Sequence, residues 1–190
     1  MADIPNVTER QAKYFASMGA SLEKATGKSL AEWVGIARTC PETSHRARLT
    51  WFKTTHGLLQ NRASHVLSEA FEPNSAWRDP DALIEALWTD AAARDIYQAI
   101  DTAALALPGA LRTARKGYTA WSRTFQFAAA RPVKGGVVLG LAIPPDSAAG
   151  LDTPRSEPWS ERLKSRLAIS TPGQVEDTLR ARLEAAWQGS

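Results

Sequence analysis

Six side chains in the second half of the chain, Lys116, Tyr118, Trp121, Arg123, Lys134 and Arg166, are of the types that bind anions. Lysine and arginine offer charge and N–H donors to a phosphate or carboxylate. Aromatic rings set among them offer flat faces on which a base can stack, worth roughly 1–3 kcal/mol per base in single-strand binders. The charge surplus is local: between Pro108 and Ser170 ten Lys and Arg face four Asp and Glu, a surplus of six, while all 190 residues together carry only +3. So small a total excludes the strongly basic class of nucleic-acid binder and makes position decisive. A sheet with one wet face also carries lysine and arginine, which guard its edges, and that plainer reading stands beside the binding one.

Other chemistry finds less support. The histidines are His45, His56 and His65, and the one cysteine is Cys40. Neither H-x-x-x-H nor H-E-x-x-H occurs, and Cys40, Glu42 and Glu69 are the nearest further ligand types, without familiar spacing. No metal and no cofactor is expected. A G-x-S-x-G elbow is absent, so no catalytic nucleophile stands out. The stretch TGKS, Thr26 to Ser29, lacks the earlier glycine and the preceding strand of a phosphate-binding loop, and helix capping explains it.

The elements that would position these groups are set by periodicity. Tyr14, Phe15, Met18 and Leu22 form a stripe at spacings of three and four, the signature of a helix. Gly27 stops it, and Ser29 with Glu32 makes a capping box for a second helix burying Leu30, Trp33 and Val34. A third helix starts near Thr43 or Ser44 and ends at His56-Gly57; a fourth spans about 61–71. Glu72 to Leu83 is rich in turn formers and reads as a boundary, with Asp79 or Asp81 capping the next helix. From Pro80 to Leu107 the pattern is helical with a break near Asp90. From Trp121 residues alternate, with Trp121, Arg123, Phe125, Phe127 and Ala129 on one face and Ala128 and Ala130 on the other. Val137, Leu139 and Leu141 share one side of the next strand, while Gly140 opposite them implies a close approach or a bend. Leu163, Leu167 and Ile169 are expected on one side of a later strand, and a final helix repeats Val175, Leu179, Leu183 and Trp187.

The fold class is therefore α+β: an N-terminal four-helix module, residues 1–72, a linker, 73–82, and a module over 83–190 in which helices pack an antiparallel β-sheet. Ile96, Leu179 and Leu183 should meet Val137, Leu139 and Leu141. Modules this small have marginal cores, so a shared interface is expected, with Trp77 or Trp88 filling it. The opening residues show no apolar run behind a basic stub and no stretch nears ~20 apolar residues; a cytoplasmic protein without a membrane partner is expected.

Two segments carry a family resemblance. TGKSLAEW, Thr26 to Trp33, followed by WFKTTHGL, Trp51 to Leu58, resembles the small N-terminal helical domain of an uncharacterised bacterial two-domain family. Gly117-Tyr118, Arg123, Phe125 to Phe127, VVLGLAIP and the closing RLAISTPGQVEDTLRARLEAAW resemble the domain that often comes after it, also of unknown function and found at the end of predicted transport proteins. The resemblance implies a fold and no activity. After HGL the chain departs from the family pattern and reads LQNRASH, from Leu59 to His65.

Three functions remain open on these grounds. The first is a non-catalytic module binding an anionic ligand or nucleic acid through Lys116, Tyr118, Trp121, Arg123, Lys134 and Arg166. The second is a small-molecule or enzymatic pocket between sheet and helices, lined by Tyr118, Trp121 and Arg123. The third is a protein-interaction surface on the helical half, marked by exposed aromatics.

Overall fold

The computed structural model describes residues 8–71 and 80–190, which fall into two compact units. The first contains α1 (Glu9–Thr26), α2 (Leu30–Arg38), α3 (His45–His56) and α4 (Gln60–Phe71). Ser29 Oγ accepts the Glu32 N–H at 3.3 Å while the Glu32 carboxylate accepts the Ser29 N–H at 2.8 Å, which satisfies two orphan donors at the start of α2. The Ser29 hydroxyl, which donates to the Glu32 carboxylate at 2.7 Å, and after it the Ser29 N–H hold that carboxyl below its ordinary range. Leu22, Trp33, Phe52, Leu58, Ala63, Val66 and Leu67 make the core. Of the stripe expected on α1 only Leu22 is buried, and Tyr14 is 60% exposed. The helix has 18 residues against 9 to 12 in its partners, so its N-terminal half lies past the buried cluster.

His65, on α4, has its Nε2 buried without a hydrogen-bond partner. Burial pushes its pKa down, and Glu69 opposes this only in part. A depressed histidine is neutral when folded, while the unfolded chain protonates below about pH 6.5. The helical module should therefore lose stability as pH falls from that value through the folded pKa. Urea midpoints read from the helical-module resonances should drop between about pH 7.5 and 5.5 in the wild type, and the dependence should shrink in His65→Gln. Equal slopes in both proteins would rule this out.

The second unit begins with α5 (Pro80–Leu87) and α6 (Ala91–Leu105), the latter capped by Asp90, whose carboxylate accepts the Ala93 N–H at 2.9 Å. Five strands come next: β1 (Leu111–Arg115), β2 (Tyr118–Ser122), β3 (Gln126–Val133), β4 (Gly136–Leu141) and β5 (Ser165–Ile169). They lie side by side in chain order, each antiparallel to its neighbours. The last helix is α7 (Asp177–Gln188). Ile96, Ile100, Leu179 and Leu183 pack with Val137, Leu139, Leu141 and Ile169 in one core, as the apolar spacing requires.

Cross-strand register fixes the faces, because paired residues point the same way. The helix-covered face carries the rows Arg112–Trp121–Ala128–Leu141–Ser165 and Ala114–Thr119–Ala130–Leu139–Leu167. The reverse face carries Thr113–Ala120–Ala129–Gly140–Arg166. Trp121 thus shares its face with Ala128 and not with Ala129, reversing the expected alternation. The cause is that 121–130 is not one strand: β2 ends at Ser122, the chain turns, and the register shifts by one residue between Trp121 and Ser122. A one-residue slip moves every later side chain to the other face. Leu163 likewise departs from Leu167 and Ile169, packing with Trp159, Ala120, Ala129 and Val138 on the reverse face.

Trp88 fills its own unit rather than an interface. It is fully buried, stacks on Tyr97 with centroids 4.5 Å apart, and donates its indole N–H to Thr119 Oγ1 at 2.9 Å. Trp77 and Asp79 lie outside the described residues. Asp81 sits inside the first turn of α5, past the cap position, and holds Arg112. Among the described residues no helix is long and apolar enough to cross a membrane.

Candidate functional site

The sheet has no open broad face. Helices cover one side, and on the other the connection from β4 to β5 lays Trp159 and Leu163 over Ala120, Ala129 and Val138. Gly140 makes this possible: a Cβ there would stand 2.8 Å from the Trp159 ring. The close approach expected at Gly140 is thus made by an indole. Arg166, next to Gly140 in the same row, reaches Glu157 at 3.1 Å, and the two side chains are only 14% and 3% exposed. A second strut holds the connection, since Asp152 and Arg166 exchange backbone hydrogen bonds at 2.9 and 2.8 Å. Arg166 therefore fastens this cover. An ion pair so desolvated gains little overall but is expensive to break.

What remains accessible is one end. Because successive strands run in opposite directions, the β1–β2 turn with Lys116 and Gly117 and the β3–β4 turn with Lys134 and Gly135 fall at the same end. On the reverse face there, Arg115 pairs with Tyr118 and Arg131 pairs with Val138. Tyr118 and Arg131 lie one step beyond the pair Thr119–Ala130, so they are neighbours. Arg115, Tyr118 and Arg131 then form one row across three strands, with Lys116 and Lys134 at its rim, both exposed. The Trp159 ring closes the row, edge-on to Tyr118 at 6.1 Å. Among the described residues Lys116, Arg131 and Lys134 take part in no ion pair, and Arg131 Nε is buried without a hydrogen-bond partner.

Three of the six side chains singled out by the sequence, Lys116, Tyr118 and Lys134, meet at this end. The others do not join them. Trp121 is wholly buried on the helix side, its indole N–H given to Asp101 at 2.8 Å. Arg123 lies at the opposite end, donating to the Ser190 carbonyl at 2.6 Å and lying over the Trp187 ring at 4.5 Å. Arg166 is held by Glu157. Tyr118, Trp121 and Arg123 thus lie on one face, the other face and the far end. The surplus of six is divided as well: Arg112 is held by Asp81 and Asp101, and Arg162 lies 3.9 Å over Phe125 at the far end.

A family model described as a domain of unknown function (DUF5655) matches residues 84–190, more than half of the chain. The chain belongs to this family. A second model, also described as a domain of unknown function (DUF4287), matches residues 14–70. The two-domain order expected from the sequence is thereby found, while predicted transport is part of neither description. No curated protein and no solved structure matches the chain.

Within the DUF5655 domain, the site residues that sequence reasoning passed over are Arg115, Arg131 and Trp159. Only the first had a signal, since a two-residue turn at Lys116-Gly117 places Arg115 opposite Tyr118. Arg131 comes alongside Tyr118 through the β2–β3 register, which the shift between Trp121 and Ser122 conceals. Trp159 had none, because nothing in an irregular connection says which ring will lie over Gly140. The described residues include no group of three or more His, Cys, Asp or Glu side chains able to hold a metal ion.

Proposed function

We propose that the protein is a non-catalytic binding protein whose DUF5655 domain takes an anionic partner, nucleic acid best of all, at the two-turn end of its sheet. The observation carrying this is that Lys116 and Lys134, on separate turns, flank Arg115, Tyr118 and Arg131 in one row. Strands lie about 4.8 Å apart, so the row spans about 10 Å from β1 to β3. That is broader than one phosphate group and suits a chain of them, with Tyr118 offering a ring between charges. A cytoplasmic setting belongs to the same reading, and the single unpaired Cys40 is compatible with it.

Fluorescence anisotropy with labelled single- and double-stranded DNA and RNA provides the test. For four phosphate contacts, single-strand affinity should fall roughly 50-fold between about 50 and 200 mM salt. The double variant Lys116→Gln/Lys134→Gln should bind more weakly with about half that salt slope. Absence of binding at low salt, or equal affinity in the double variant, would defeat the reading.

A further inference from the structure

We propose that the N-terminal module holds a second anion site, separate from the sheet, which takes a small phosphate-bearing organic molecule with Lys28, His56 and Arg62 as its ligands. Two helix junctions create it. α1 ends at Thr26, and Gly27, with φ 70°, reverses the chain through Lys28 into the cap of α2. α3 ends at His56, and Gly57, with φ 64°, turns the chain through Leu58 toward α4, whose first turn carries Arg62. Glycine is needed at both turns because a side chain strains a left-handed backbone.

The two junctions line an open hollow of about 460 Å³, within the range of small-molecule sites. Its wall contains Lys28, Arg62 and His56 and no Asp or Glu. Neither Lys28 nor Arg62 takes part in an ion pair among the described residues. The acid nearest in sequence, Glu32, is already committed to the N–H and hydroxyl of Ser29 at 2.8 and 2.7 Å.

The wall is also rigid where a ligand would touch it. Trp33 is buried and gives its indole N–H to Thr26 Oγ1 at 2.8 Å, and Thr26 in turn donates to the Leu22 carbonyl. The His56 ring is wedged edge-on between Trp33 at 5.7 Å and Trp51 at 4.7 Å. Lys28 and Arg62 come from different junctions, so the anion must present acceptors on more than one side. The three terminal oxygens of a phosphate, with their larger charge, do so in three dimensions and more strongly than the two coplanar oxygens of a carboxylate. Arg62 also borders a second hollow of about 450 Å³ with Leu59, Gln60 and Asn61. Amides and an exposed leucine there suit the organic body of the ligand and not a bare inorganic ion.

The test is a titration of the full chain with phenyl phosphate, inorganic phosphate and acetate, followed in ¹H–¹⁵N spectra. The Gly57 amide and the Trp33 indole N–H should shift saturably with phenyl phosphate at a Kd of about 1 mM or tighter, more weakly with inorganic phosphate and least with acetate. Lys28→Gln and Arg62→Gln should each weaken phenyl phosphate at least about 5-fold with the spectrum otherwise folded, near 1 kcal/mol. Lys116→Gln/Lys134→Gln should leave these shifts unchanged, which separates this site from the sheet end. Non-saturating shifts, equal affinity in Arg62→Gln, or acetate binding as tightly as phenyl phosphate would overturn the proposal.

Discussion

Gly136→Ala will destabilise the DUF5655 domain by about 3 kcal/mol or more, a large share of the stability of a module this small. Gly136 opens β4 with φ 152°, and a Cβ there would lie 2.2 Å from the Ile169 carbonyl oxygen, with the Ile169 carbon and the Ser170 Cα both at 3.1 Å. All three are backbone atoms of the neighbouring strand, so no rotamer change can relieve the clash. Either β4 parts from β5 or the β3–β4 turn is rebuilt, and both expose Val137 and Ile169, which are a register pair in the core. Gly135→Ala is the control. Its φ is 83°, but nothing lies within 4 Å of its Cβ, so it should cost only the left-handed backbone penalty, about 1–2 kcal/mol. Urea unfolding followed by the Trp88 and Trp121 resonances will separate the two. Equal midpoints would mean that the tight contact between β4 and the end of β5 does not exist. Since Lys134 stands in the same turn, Gly136→Ala should also abolish anion binding at the sheet end, while Gly135→Ala should weaken it only slightly.

The contrast between those glycines shows where the sequence is explicit and where it is silent. Helices and their ends were legible because their signals are local: Ser29 with Glu32, Gly27, Gly57 and Asp90 each act within four residues. So was the core, since Val137, Leu139 and Leu141 could lie together only on a β-period of two. Strand faces in 121–130 were not legible. They depended on where β2 stops and on a one-residue shift, and alternation looks the same on either side of a short turn. The β1 strand escaped notice for a similar reason: Arg112, Thr113 and Arg115 carry no apolar alternation, and pairing with β2 makes them a strand. For the candidate site, charge and residue type pointed to the right segment, but partners chosen across long stretches of sequence decided which cations stayed accessible. Glu157 takes Arg166 and Asp101 takes Arg112, and no periodicity announces either choice.

Asp101→Ala should cost about 3 kcal/mol, and its origin is chemical rather than steric. The Asp101 carboxylate, 14% exposed, accepts Arg112 Nη1 at 2.7 Å and the Trp121 indole N–H at 2.8 Å. Removing it strands an N–H donor on a fully buried ring and half-uncouples a guanidinium whose side chain is 26% exposed. Arg112 would still hold Asp81 at 2.7 Å and can reach some solvent, which keeps the loss below that of a wholly buried charge. Burial works against the Arg112 charge, yet Asp101, Tyr97 and Asp81 together raise its pKa. Tyr97 is pushed up too, by burial first and Asp101 second. In Asp101→Ala the Tyr97 hydroxyl should thus titrate at lower pH than in the wild type. Asp101→Asn keeps one oxygen acceptor and should lose about half as much stability. Asp81→Ala, at a carboxylate 69% exposed, should cost less than about 1 kcal/mol. The expected order in denaturant midpoints is therefore Asp81→Ala, Asp101→Asn, Asp101→Ala, from mildest to most severe. Were Asp81→Ala as harmful as Asp101→Ala, the buried indole would not be what matters, and the pairing would be an ordinary surface one. The order also bears on binding. If Arg112 is consumed in fastening α5 and α6 to β1 and β2, then Arg112→Gln should lower stability without changing the salt slope of nucleic-acid affinity, whereas Lys116→Gln should do the reverse.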